Sequence, residues 1–229
     1  MATSKLEFMV EDIKDSKKLK STLLDTPGIS KAEILKNEIV VIETVLPCSV
    51  AGDLIQDITG TRAVLQGFGE GGTAVAMMEG SLSRGVIRLS GLADGDGGLV
   101  DGTIDGLPPG VHKLNVHVAG DISQGCDSLG PIWEPVGKLG TVTAESNGRA
   151  SFKFMVPNLM ISQIVGRSLA IATEDQSQKL ACGVIARSAG IFENNKKICA
   201  CDGVTLWDER YVPAAGRGRR QPIPPTNKL

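Results

Sequence analysis

The sequence predicts a small α+β domain, an all-β domain and a tail with no core of its own. Three observations predict this. Residues 1–66 show apolar periodicities in the order strand, helix, strand, strand, helix, strand. Residues 73–192 replace them with eight short strand-like runs punctuated by turn formers. From residue 193 apolar content falls and Pro, Gly and Arg dominate, as in an extended or disordered extension. With 28 glycines and only 3% aromatic residues, the composition also suits tightly turned β-structure better than a helical bundle.

In the first unit "KLEFMV" alternates as a strand does, and "DSKKLKSTLL" puts Leu19 and Leu23 on one helical face. "GISKAEIL" and "NEIVVIETVL" read as two strands joined by a turn at Lys36 and Asn37. Ser49 is the expected cap of a second helix carrying Val50, Leu54 and Ile58, and "RAVLQG" closes the set. The resulting βαββαβ order predicts a ferredoxin-like domain over 1–66. "GFGEGG", residues 67–72, has no apolar period and reads as a flexible linker.

The β-like runs that follow are "TAVAMM", "GVIRLSG", "GLVDGTIDG", "KLNVHV", "GTVTAE", "RASFKFMV", "RSLAIAT" and "LACGVIA". "DGDGG", "PPG" and "NG" separate some of them, which points to an antiparallel sandwich or barrel over 73–192. Residues 193–229 then form the tail.

Charge is nearly balanced, 24 Lys and Arg against 26 Asp and Glu, so no global field favours nucleic acid or a membrane surface. No apolar run approaches the roughly 20 residues that span a bilayer, and the N-terminus lacks the apolar core of a secretory signal. A cytoplasmic location is expected. There thiols are kept reduced, so Cys48, Cys126, Cys182, Cys199 and Cys201 do not read as a secreted disulfide scaffold.

Cys199 and Cys201 form a Cys-x-Cys pair within "KKICACDG". Residues i and i+2 of an extended segment face one side, so both sulfurs can meet one partner. As thiolates they suit the soft ion Cu(I); as a disulfide they close a small strained ring that oxidises well. Lys196 and Lys197 favour the thiolate while Asp202 opposes it. Metal clip, redox pair and inert exposed thiols all remain open on the residues alone.

A family likeness bears on that choice. "DGTIDGLPPGVHKLNVHVAGD", "QGCDSLGP", "KLGTV", "IVGRSLAIA" and "KLACGVI" stand in the order seen in Cu,Zn superoxide dismutases, and "ARSAGIFENNKKICACDGVTLWDER" resembles the tail of the copper chaperones for superoxide dismutase. The resemblance implies an eight-stranded Greek-key barrel for the middle domain, and a chaperone that delivers Cu(I), oxidises its client's disulfide, or does both. It implies a Cys126–Cys182 disulfide, whose loop of roughly 55 residues is worth about 4 kcal/mol by loop closure. It also implies docking to a dismutase subunit as a heterodimer, with a homodimer expected in its absence. The matching segments are Ala119 and Gly120, then Ile164, Val165, Gly166 and Arg167, then Val184, Ile185 and Arg187.

The same resemblance shows what is missing. A dismutase site needs more histidines than the two present, His112 and His117. Asn115 stands for one family histidine, Ile132 for the bridging one, Lys138 for the zinc aspartate and Lys179 for the guiding arginine. Zinc is not expected in the barrel, and neither is dismutase activity. His112 and His117, five residues apart, would lie on opposite faces of a regular strand and are expected to be ordinary hydrogen-bonding histidines. Met9 to Asp15 lacks the family's Met-x-Cys-x-x-Cys, and the lone Cys48 reads as a semi-buried thiol. The terminal Asn227-Lys228-Leu229 weakly resembles a peroxisomal address. A noncatalytic stabiliser of a dismutase subunit, or a copper store, would keep parts of this sequence without thiol transfer.

Overall fold

The computed structural model describes residues 3–36, 38–92, 95–194 and Trp207. The first domain runs β1 (Ser4–Val10), α1 (Ser16–Leu24), β2 (Ile29–Leu35), β3 (Ile39–Thr44), α2 (Cys48–Thr59) and β4 (Ala63–Phe68). Its strands form an antiparallel sheet in the order β2-β3-β1-β4. Asp15 caps α1 by accepting from the Lys18 N–H at 2.9 Å, and Leu19 and Leu23 turn their shared face to the core. That core collects Leu6, Phe8, Val10, Val40, Ile42, Ala51 and Ile55, and it also takes Leu99 from the second domain.

The second domain holds β5 (Gly71–Glu79), β6 (Arg84–Gly91), β7 (Gly97–Asp105), β8 (Gly110–His117), β9 (Lys138–Ala144), β10 (Ala150–Pro157), the short helix α3 (Ile161–Ile164), β11 (Ser168–Thr173) and β12 (Lys179–Arg187). These are the eight strand-like runs of the sequence. Their order is β10-β7-β6-β5-β12-β11-β8-β9, antiparallel wherever neighbours pair. The two end strands approach each other where the Phe154 ring of β10 lies over Gly140 of β9, so the sheet nearly closes into a barrel. Alternate residues such as Ile87, Leu89, Leu114, Val116, Leu169 and Ile171 fill its interior.

Residues 67–72 are not the flexible linker that their composition suggests. Gly67 and Phe68 pair with Glu7 and Leu6 inside β4, and Gly71 already belongs to β5. The glycine at 67 serves close packing: a Cβ there would sit 2.6 Å from the Gly190 carbonyl oxygen and 2.9 Å from the Ile191 Cα. The chain leaving β12 thus lies against the first domain. Ile191 donates its N–H to the Gly69 carbonyl at 3.1 Å, and the Phe192 N–H reaches the buried Glu7 carboxylate at 2.6 Å.

Ser49 is not the cap of α2. The helix begins at Cys48, and the Asp101 carboxylate, reaching over from β7, accepts the Cys48 N–H at 3.0 and 3.1 Å. An anion from the other domain therefore occupies this helix N-terminus. Ser49 instead bonds Thr103 of β7, Oγ to Oγ1 at 2.6 Å. Lys153, opposite Asp101 in the β7–β10 register, completes the seam. Its Nζ donates to Ser4 Oγ at 2.7 Å and to the Thr44 and Leu46 carbonyls at 3.0 Å each, and lies 3.9 Å from Asp101 Oδ2. Every proton of this buried ammonium has a first-domain acceptor.

Candidate functional site

The three segments singled out as a docking surface come together at one edge of the barrel. Gly166 donates its N–H to the Ile185 carbonyl at 2.9 Å, and the Ile185 N–H returns to the Arg167 carbonyl at 2.8 Å. The Ser168 hydroxyl binds the Ala119 carbonyl at 2.6 Å. Gly166 sits at φ +86°, and Gly120 packs so closely on the Gly166 carbonyl that a Cβ at 120 would collide with it. Ile164 and Ile185 point into the core and shape the edge from behind, while Val165, Gly166, Arg167, Val184 and Arg187 stay at least partly open to solvent. Arg167 donates to the Gln163 and Val118 carbonyls at 3.0 Å each, and its guanidinium lies 4.6 Å over the Trp133 ring.

Cys126, in a short turn at Gly125–Asp127, is joined to Cys182 of β12 with an S–S distance of 2.08 Å. Leu129 and Ala170 pack against the pair, and the Ala119 N–H binds the Leu129 carbonyl at 3.0 Å. The crosslinked loop is thereby continuous with the edge that Ala119, Gly120 and Gly166 form.

On the histidine strand the two rings are held separately. The Nδ1–H of His117 donates to the Gly130 carbonyl at 2.8 Å, and the Nε2–H of His112 donates to the Pro108 carbonyl at 2.7 Å. Burial is the main cause lowering the His117 pKa; the Gly130 bond works against it and the Lys179 charge adds to it. Ile132 lies across from His117 in an isolated bridge, and Asn115 donates to Gln176 at 3.3 Å. Among the described residues no three His, Cys, Asp or Glu side chains come together as a metal-binding group.

Cys48 is buried, and burial followed by the nearby Asp101 charge pushes its thiol well above the ordinary value. It stays a neutral thiol. The start of the first helix–loop region, where the sequence lacks cysteines, is closed by an ion pair: Arg62 Nε and Nη2 donate to the two Glu11 oxygens at 2.9 and 2.7 Å. Cys199 and Cys201 lie outside the described residues.

The profile of the copper/zinc superoxide dismutase family matches residues 83–185, which takes in β6 to β11 and most of β12. Relatives extend the match over nearly the whole chain. The "Copper chaperone for superoxide dismutase" of Sus scrofa is 39% identical over 245 residues, covering 91% of this chain and 89% of its own length. The chain belongs to the family of copper chaperones for superoxide dismutase. The protein of the same name from Homo sapiens is 36% identical, covering 92% of this chain and 90% of its own. The "Superoxide dismutase 1 copper chaperone" of Saccharomyces cerevisiae is 31% identical over 84% of this chain and 87% of its own.

For this member of the copper-chaperone family, sequence reasoning singled out three segments that the fold brings together but missed the residues that brace them. Trp133 and Val118, which hold Arg167, carried no signal beyond one aromatic in a glycine-proline loop. Asp101 and Lys153 were also missed, although their alternation within β7 and β10 places them on one face of the sheet. Only the burial of that face by the first domain gives them their role.

Proposed function

We propose that this protein matures an immature Cu,Zn superoxide dismutase by docking it through the barrel edge and acting on it with Cys199 and Cys201. The observation that carries the reading is the near-full-length similarity to copper chaperones, supported by the convergence of Ala119, Gly120, 164–167 and 184–187 on one edge. An isologous edge of this kind can pair with a dismutase subunit as a heterodimer or with a second copy as a homodimer.

In this reading the division is a ferredoxin-like domain over 1–66, a barrel over 73–192 and an arm over 193–229. Cu(I) is the cargo, held transiently by the two thiolates, which match its softness. The barrel carries no zinc and does not dismutate superoxide: Ile132 and Lys138 replace donor side chains with an alkyl group and a cation. The protein acts in the cytoplasm, and the terminal Asn227-Lys228-Leu229 is at most a minor address.

Disulfide transfer balances as two exchanges. A client thiolate attacks one sulfur of a Cys199–Cys201 disulfide, releasing the other as thiolate, and a second client thiolate then displaces the arm. The client loses two electrons and the arm leaves as a dithiol. Renewal of the arm requires an external oxidant.

Client reconstitution separates the possibilities. With wild type and Cu(I), immature dismutase gains activity; Cys199→Ser with Cys201→Ser abolishes that gain while docking, read by size-exclusion, is kept. Full maturation by the double variant would overturn the thiol role and leave a noncatalytic stabiliser. Activity gained without added Cu(I) from an already metal-loaded, reduced client assigns disulfide transfer.

A further inference from the structure

The first domain has no copper-capture cysteines, yet the corner where they would be expected is built. Glu11 and Arg62 close it with a two-pronged ion pair, 2.9 and 2.7 Å, and the Glu11 N–H also binds the Arg62 carbonyl at 2.9 Å. Thr61 adds a hydroxyl bond to the Asp12 carbonyl at 3.0 Å. The guanidinium held this way meets a residue 145 positions further along the chain. Its Nη1 donates to the Trp207 carbonyl at 3.2 Å, and its Cζ lies 5.9 Å from the centre of the Trp207 ring. A hydrogen bond to the main chain and a cation–ring contact from one arginine are two independent recognitions of the same residue.

The other end of the same segment is also held on the first domain, through Ile191 on Gly69 and Phe192 on Glu7. We propose that the Arg62–Glu11 corner is a dock for the chain's own tail, with Trp207 as its anchor. The first domain has then exchanged metal capture for retention of the arm. Cys201 precedes Trp207 by six residues. The chain spans at most about 3.6 Å per residue, so the anchor keeps the Cys201 Cα within about 22 Å of the Trp207 Cα whatever path lies between. A client seated on the barrel would meet a thiol pair tethered on both sides, at Phe192 and at Trp207, rather than on one side only, which raises its effective concentration. That use rests on the function proposed above; the anchoring itself does not.

The test uses the full chain without client. Its two tryptophans, Trp133 and Trp207, give two indole N–H signals. Nitrogen-15 relaxation should show both as ordered in wild type. Arg62→Met keeps the aliphatic stem but removes the cation and the fork. It should lower the docked-to-undocked ratio of Trp207 by about two- to five-fold while Trp133, packed in the barrel, stays unchanged and reports intact folding. Arg62→Lys, which keeps the charge but loses the fork, should fall between the two. Cys199→Ser with Cys201→Ser should leave Trp207 ordered, so loss of thiol function and loss of anchoring are read separately. A Trp207 indole that is already mobile in wild type, or unchanged in Arg62→Met with Trp133 ordered, overturns the proposal.

Discussion

Two carboxylates in this molecule each face a basic side chain, and their proton affinities move in opposite directions. Glu11, at the solvent-open corner of the first domain, is held below its ordinary range, mainly by the hydrogen bond from Arg62. Asp101, in the seam between domains, is raised, because burial outweighs the Lys153 charge and the Cys48 N–H. The Arg62 and Glu11 side chains keep 34% and 39% of their surface exposed; Lys153 and Asp101 keep 2% and 1%. Pairing wins where water already solvates the charges, and desolvation wins where it does not. The buried pair therefore locks two domains into one body, whereas the open pair is suited to a contact that forms and releases.

The largest effect should come from removing the lysine of the seam. Lys153→Met takes one of its two nearby cations from the buried Asp101 carboxylate, leaving Arg88, and strips the Ser4, Thr44 and Leu46 oxygens of their donor. Urea unfolding should show a loss of about 3–5 kcal/mol, and a loss under 1 kcal/mol would mean the seam is open in solution.

Removing the acid should be far milder. Asn at 101 can still accept the Cys48 N–H while shedding the buried charge, so Asp101→Asn should stay within about 1 kcal/mol of wild type at neutral pH. The sign with pH is set by the raised carboxyl. A group that holds its proton more tightly folded than unfolded contributes stability that is fully present below the ordinary carboxylate value and lost as pH rises through the folded one. Relative to Asp101→Asn, wild type should gain stability between about pH 7 and about pH 4, read as urea midpoints at both ends. A relative loss on acidification would show that pairing, not burial, governs Asp101.

The smallest effect belongs to the open corner. Glu11→Gln should cost at most about 1 kcal/mol at low salt and become undetectable near 1 M salt. Glu11 is depressed, so its contribution is present above the ordinary carboxylate value and fades as pH falls, the reverse of Asp101. Matching pH responses at the two sites would erase the distinction between them.

Much of this architecture was legible in the residues. Strand alternation and turn formers located β5 to β12, because each strand buries one face in a common interior and period-2 patterning records that directly. Counting histidines was enough to expect no dismutase site, since no folding can supply donors that the chain lacks. The three segments proposed for docking were singled out through family resemblance, and their meeting at one edge follows from antiparallel pairing of β8, β11 and β12.

Three features were decided only in the folded molecule. "GFGEGG" carries the composition of a linker, yet its first glycine is required by the Gly190 backbone pressed against it. Ser49 satisfies the local rule for a helix cap, but an aspartate 53 residues beyond Cys48 takes that place. Lys153 and Asp101 share a strand face that only another domain covers. Local patterning reports how a segment meets its own core; it carries no signal for which outer face a second domain will bury. The sequence by itself therefore determined the elements, the missing metal donors and the Cys-x-Cys pair. The tertiary structure alone decided how the first domain, stripped of its thiols, is fastened to the barrel and what its open corner holds.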